Sequence, residues 1–220
     1  MFELGKKQIL TAVNRADQGM YLGSERYARE KVLLPVKQCP EGLRAGDEIE
    51  VFLYRDSEDR IIATTRTPKI MLGETAVLKV AGVTKIGAFM DWGLEKDLLL
   101  PFKQQTVKVN PGDEVLCGLY VDKSGRLCAT MKVYQYLKTA DRDSYKVGDE
   151  VTGRVYEISD NFGAFVAVDD KISALIPKKE MFLNIKVGKQ DKFRIIAITD
   201  DGKLTLASRK PAYLQMDEDS

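Results

Sequence analysis

The stretch "GDEVTGRVYEISDNFGAFVAV" (residues 148–168) decides the fold of this chain. It starts at a glycine, continues as the strand-like run "EVTGRVYEI", and then sets Phe162 and Phe165 three residues apart around Gly163. Strict alternation along one strand would send these two rings to opposite faces of a sheet. A glycine inside a strand often marks a bulge, where one extra residue shifts the side-chain phase. A bulge at Gly163 predicts that both rings emerge on one face.

The same skeleton occurs three times, and such internal repeats outrank every other sequence signal. Each block begins near a glycine (Gly5, Gly73, Gly148) and enters a strand-like run: "ILTAVN", "AVLKVAGV", "EVTGRVYEI". A glycine and an aromatic follow: Gly19 with Tyr21, Gly87 with Phe89, Gly163 with Phe165. An apolar run then ends in Pro35, Pro101 or Pro177, and each block closes with a hairpin, "RDSEDRIIATTR", "VDKSGRLCATMK" or "ITDDGKLTLASR". Matching glycines are 68 residues apart (Gly19 to Gly87) and 76 apart (Gly87 to Gly163).

Each unit therefore reads as five short strands separated by Gly, Asp and Pro turns, without a long amphipathic helix. Five strands in a unit of this size suit a small closed Greek-key barrel, which leaves no sheet edge exposed. The expected architecture is all-β, three tandem barrels at residues 1–68, 69–138 and 146–210, with a polar, acidic tail at 211–220. The segment "KVYQYLKTADRDSYK" (residues 132–146) is expected to form a short helical connector before the third barrel.

Composition excludes more than it assigns. The 220 residues carry 34 Lys+Arg against 33 Asp+Glu, so any electrostatic case for nucleic acid must be local. Cys39, Cys117 and Cys128 form an odd set without a CxxC pair, which argues against a disulfide framework or zinc site and fits a reducing cytoplasm. No signal-peptide-like run and no stretch of 18 apolar residues is present, so a membrane partner is not expected. The chain contains no histidine, which removes the commonest general base and metal ligand. Phosphate-binding loops of the Walker and GxGxxG types are also absent, and no catalytic residue, metal or cofactor is expected.

A local case for nucleic acid does exist in the third unit. In barrels of this kind oligonucleotides bind across the second and third strands. Exposed aromatics there stack on bases, worth about 1–3 kcal/mol per base. Residues 172–194 add six basic side chains (Lys178, Lys179, Lys186, Lys189, Lys192, Arg194) against Glu180 and Asp191. Two plain alternatives stand beside this reading: either ring can fill the barrel interior, and a charged strip can be an ordinary solvated surface. Trp92 is likewise open to two readings, a further platform or a core filler.

Residues 146–210 resemble the S1-motif RNA-binding domain, an OB-fold barrel. The matching stretches are "GDEVTGRVYEISDNFGAFVAV", "ALIPKKEM" and "KFRIIAITDDGKLTLASRK". The resemblance implies stacking aromatics at Phe162 and Phe165 and basic contacts at Arg194 and Lys203, with Lys178 and Arg209 as further RNA-binding candidates. Pro177 stands where the family often has histidine, and Thr199 where it has a hairpin acid. In the second unit the corresponding residues are Ile86, Phe89, Asp122 and Arg126, and in the first Gln18, Tyr21, Asp56 and Arg60. Loss of one aromatic in each implies weaker RNA contact there, or a shift to protein contact.

Three such barrels in series resemble the conserved virulence factor B and YitL-like bacterial family, in which a C-terminal winged helix follows. The tail at 211–220 is expected to be either a disordered end or the start of such a missing domain. The resemblance implies a non-catalytic, cytoplasmic protein that binds single-stranded RNA and affects gene expression, with the ribosome or RNA-processing machinery as further partners. The alternative is a protein-interaction scaffold that docks a ribosome, polymerase or nuclease component and touches no RNA. Oligomeric state and RNA sequence preference have no marker in the chain.

Overall fold

In a computed structural model, residues 1–181 and 185–208 are described, and they form three five-stranded units in series. The first comprises β1 (Lys7–Ala16), β2 (Gly19–Gly23), β3 (Val32–Pro35), β4 (Glu48–Arg55) and β5 (Ile61–Thr64). The second comprises β6 (Thr75–Thr84), β7 (Gly87–Asp91), β8 (Leu98–Pro101), β9 (Glu114–Val121) and β10 (Leu127–Thr130). The third comprises β11 (Glu150–Ser159), β12 (Gly163–Val168), β13 (Ile172–Pro177), β14 (Gln190–Ile198) and β15 (Leu204–Ser208).

Units one and three are closed barrels of order β1-β2-β3-β5-β4 and β11-β12-β13-β15-β14. A short parallel ladder closes each, with Leu33 opposite Ile62 in the first and Ala174 opposite Leu204 in the third. The middle unit has the same strand sequence, but β8 and β10 lie side by side without a ladder between them. In all three, a single 3-10 turn follows the proline that ends the third strand: Val36–Gln38, Phe102–Gln104 and Lys178–Glu180.

Alternation along β12 shows how sequence becomes layers. Ala164, Val166 and Val168 point into the barrel core with Val155, Ile176, Ile195 and Leu206. Phe165 and Ala167 point outward, and Ala167 is buried there against Leu116 and Val133 of the preceding unit. Phe165 belongs to the same cluster at its edge. One face of the third barrel is thus divided between a junction and open surface.

The two rings share a face, but not through a bulge at Gly163. The register shift lies on the partner strand, between Val155 and Glu157, and leaves Tyr156 as the extra residue. Equivalent shifts fall between Ala12 and Asn14 and between Val80 and Gly82. Phe162 is not a strand residue at all. It ends the turn before β12, where the Ser159 hydroxyl accepts the Asn161 and Phe162 backbone N–H groups at 3.3 Å. Gly163 has φ +122°, and a Cβ there would stand 2.1 Å from the Ile176 carbonyl oxygen. It is therefore a close-approach glycine, and strand alternation never applied to the pair around it.

The helical connector before the third barrel is reduced to one 3-10 turn, Tyr134–Tyr136. Beyond it the chain pairs with the third barrel: Lys138 forms a parallel bridge to Ile172, and the Ala140 N–H donates to the Gly202 carbonyl at 2.7 Å. The Asp141 carboxylate accepts from the Asp143 N–H and the Ser144 hydroxyl. Such local side-chain bonding competes with helix, and the continuation is a turn.

Candidate nucleic-acid interface

The β11–β12 turn and β12 present the two phenylalanines. Phe162 is 62% exposed and Phe165 half-buried, with ring centroids 6.3 Å apart and planes inclined by 56°. Behind Phe165 lies the buried Tyr156, 6.2 Å away and inclined by 32°. At its other side Tyr134, from the connector, stands edge-on at 5.8 Å and 81°. Phe162, Phe165, Tyr134, Glu157, Leu175 and Lys203 surround an open cavity of about 460 Å³. Such a volume lies within the usual range for small-ligand clefts, and its walls are largely apolar with one ammonium group.

Lys203 comes from the β14–β15 hairpin. Its ammonium donates to the Tyr134 hydroxyl at 2.7 Å and forms an ion pair with Asp201 at 3.1 Å. The hydrogen bond to Tyr134 and the one to Asp201 raise its pKa above that of an ordinary lysine. The hairpin itself is held by Thr199, whose hydroxyl accepts the Lys203 backbone N–H at 2.9 Å. Asp56 and Asp122 accept the matching N–H groups of Arg60 and Arg126 at 2.9 and 3.0 Å. The residue read as a hairpin acid is thus a turn builder in all three units, and threonine performs the same task in the third.

The other candidates fall into different surroundings. Lys178 donates to the Asp160 carbonyl at 2.8 Å and so fastens the turn that carries Phe162. Arg194 is exposed on β14 opposite Glu150 and Ala207, and it does not line the aromatic cavity. Within the cationic strip, Lys192 pairs with Glu150 at 3.2 Å and Lys189 with Asp191 at 3.8 Å. Arg209 lies outside the described residues.

The first two units pack against each other through a shared core and their closing hairpins. Trp92 is 2% exposed and sits edge-on to Phe52 and Tyr54 of the first barrel at 5.7 and 6.2 Å. Its indole N–H donates to the Lys96 carbonyl at 2.6 Å, so it is a core residue shared by two units. Arg126 pairs with Asp59 of the first unit at 3.1 Å, and Arg55 donates to the Gly125 carbonyl at 3.0 Å. Phe89 is half-buried beside a smaller cavity of about 200 Å³, lined also by Tyr54, Arg55, Ile86 and Arg126. Arg60 is engaged by Asp56 and Glu58 at 3.0 and 2.9 Å, and Tyr21 is half-buried on β2.

Reasoning from sequence missed Tyr134 and Tyr156. Both are aromatics within the quoted stretches; the β11 bulge turns Tyr156 toward Phe165, and the path of the connector brings Tyr134 there. Among the described residues no cluster of three or more His, Cys, Asp or Glu side chains is arranged to hold a metal ion. No helix among them is long and apolar enough to cross a membrane.

Five-stranded Greek-key barrels that bind oligonucleotides across the face of their second and third strands are OB-folds, and here that face carries Phe165, with Phe162 on the turn before it. The chain belongs to the S1 domain family: the S1 domain pattern matches residues 4–66 and 72–132, and the S1 RNA binding domain pattern matches residues 144–209. That membership gives the chain a general RNA-binding role. It is 29% identical to the uncharacterized protein YitL of Bacillus subtilis over 97% of this chain and 73% of that one. It is also 25% identical to conserved virulence factor B of Staphylococcus aureus, over 80% of this chain and 61% of that protein. A Streptococcus pneumoniae multidomain protein with nucleic acid binding domains has the same fold, with TM-score 0.60 and 18% identity over 97% of this chain and 79% of that one. The chain thus spans about three fifths of the virulence factor's length.

Proposed function

We propose that the third barrel binds single-stranded RNA, stacking bases on Phe162 and Phe165 and contacting phosphates through Lys203, Lys178 and Arg194. The single observation that carries this reading is the phenylalanine pair, Phe162 exposed and Phe165 half-buried, around the open cavity beside an ammonium group. An exposed benzyl group on a turn has no packing role, and stacking is the use that a π-face in water offers to a nucleobase. The protein then acts without catalysis, in the cytoplasm, as a post-transcriptional regulator. The first two units, which share a buried core, serve as a rigid body beside it.

A competition between single-stranded RNA, single-stranded DNA and duplex at two salt concentrations tests the reading. Single-stranded RNA should bind best, with a log–log salt slope of about −2 if three phosphates are contacted at about 0.7 each. Phe162→Ala and Phe165→Ala should each weaken binding by about 5- to 150-fold, the equivalent of about 1–3 kcal/mol. Equal affinity of the double variant and the unaltered chain would falsify stacking. Salt-insensitive or absent RNA binding, with capture of a defined protein, would favour the scaffold reading instead.

A further inference from the structure

Tyr134 departs from its neighbours in a way that its place in the fold does not require. Val133, Tyr136 and Leu137 all pack into the apolar junction between units two and three, with Leu116, Tyr156 and Ala167. Tyr134 stays out of that cluster, is 47% exposed, and faces the cavity of the phenylalanine pair. The 3-10 turn, closed by the Tyr136 N–H on the Val133 carbonyl at 2.8 Å, holds its backbone. The Lys203 ammonium holds its hydroxyl. That ammonium is 2.7 Å from the hydroxyl oxygen and 5.2 Å from the ring centroid, so it sits at the hydroxyl end and not over the ring centre. A hydrogen bond, not a cation resting on the ring, fixes the side chain.

We infer that Tyr134 is a third stacking platform, contributed by the connector, which extends the RNA site of the third barrel by one nucleotide toward the second unit. This rests on the RNA-binding reading above and adds the length of the bound tract and its dependence on the junction. Phe165 lies between the other two rings, at 6.3 Å from Phe162 and 5.8 Å from Tyr134. The rings therefore run from the β11–β12 turn, across β12, to the β14–β15 hairpin. A tract that stacks on all three passes beside Lys203 at the Tyr134 end, where an ammonium group can meet its phosphate. The surrounding cavity, about 460 Å³, extends past Phe165 to that end. Tyrosine is also suited to such a place, since its body is apolar and its tip takes a hydrogen bond.

The test compares oligouridylates that grow one nucleotide at a time, titrated into the full chain and into Tyr134→Leu and Tyr134→Phe. Leucine keeps apolar contact with Phe165 but cannot stack; phenylalanine stacks but gives up the bond to Lys203. The expected result is a step in affinity of about fivefold or more for one added nucleotide, present in the unaltered chain and Tyr134→Phe and missing in Tyr134→Leu. Photocrosslinking of a 4-thiouridine oligomer to the unaltered chain should label Tyr134, which keeps the test valid if Tyr134→Leu fails to fold. Loss of the step in Tyr134→Phe as fully as in Tyr134→Leu would show that the residue only positions Lys203 and would overturn the inference. So would a crosslink map confined to the peptides of Phe162 and Phe165. Either outcome leaves RNA binding by the phenylalanine pair intact, whereas failure of the unaltered chain to bind any oligouridylate sinks both.

Discussion

Arg126 in the β9–β10 hairpin of the second unit reaches back to Asp59 in the β4–β5 hairpin of the first, with 3.1 Å between guanidinium nitrogen and carboxylate oxygen. The Gly125 carbonyl beside it accepts from Arg55, and the Asp56 carbonyl accepts from Lys96. The third unit's counterpart hairpin bonds to the connector, whereas this one holds two barrels together. Arg126→Ala should therefore leave RNA affinity and its salt slope unchanged. Both partners are about half-exposed, so the loss of stability should stay within about 1 kcal/mol. Fluorescence anisotropy with a labelled oligomer, set beside urea unfolding, checks both; a drop in affinity as large as that of Lys203→Ala would assign Arg126 to RNA after all.

Trp92 joins the first two units more firmly. Its ring packs edge-on against Phe52 and Tyr54 across the boundary, and its N–H satisfies the Lys96 carbonyl. Trp92→Phe removes that bond and leaves space around a smaller ring, at a cost of about 2–4 kcal/mol. Because the buried cluster spans both units, they should unfold in one calorimetric transition in the unaltered chain. The variant should move that transition and leave RNA binding at the third barrel in place. Two separate transitions in the unaltered chain would refute the shared core.

The barrels were legible because their turns are written locally. Glycine, aspartate and proline recur at matching offsets, and each marks a place where the backbone needs them. The face shared by Phe162 and Phe165 was also legible, but not its cause. The bulge sits on the partner strand at Tyr156, within "RVYEI", which reads as ordinary alternation. What could not be read were the consequences of docking between units. Nothing near Arg126 names Asp59, 67 residues away, and nothing in the connector names Phe165 as a neighbour of Tyr134. The connector was expected to be helical, but bonding to the third barrel and the Asp141 turn decide its path.

Gly163 offers a test of the turn that presents Phe162. It and its counterparts Gly19 and Gly87 have φ of +122°, +149° and +145°. A Cβ at each would come within 2.1, 2.0 and 2.3 Å of a carbonyl oxygen on the next strand. Gly163→Ala must therefore push β12 from β13 as well as strain the backbone, and should cost about 3 kcal/mol or more. Gly148 has φ +96° and open space around it, so Gly148→Ala carries the conformational strain alone, about 1 kcal/mol. Urea midpoints for the two variants separate the close approach from the left-handed backbone; equal losses would mean that β12 and β13 can part freely.

Stability should form a plateau between about pH 5 and pH 9, bounded by two different sets of groups. On the acid side, Asp91 and Asp201 are held below the usual carboxylate range by hydrogen bonds, chiefly from the Gly93 N–H and the Thr199 hydroxyl. Asp56 and Asp122 are too, since bonds from Arg60 and from Ser124 outweigh a partial burial that works the other way. A carboxyl that is more acidic in the folded chain stabilises it above its unfolded pKa, and the benefit fades as pH falls through about 4 and below. On the alkaline side, burial pushes the Cys117 thiol up to about 12 from 9.0, and Cys128 up to about 11. These groups stay protonated in the fold while the unfolded chain loses its protons, so their contribution is complete below pH 9 and declines as pH rises toward 12. The chain has no histidine to add a step between these limits. Urea midpoints measured from pH 3 to pH 11 should trace that plateau with a fall at each end; replacing Cys117 by alanine should soften the alkaline fall and leave the acid one unchanged.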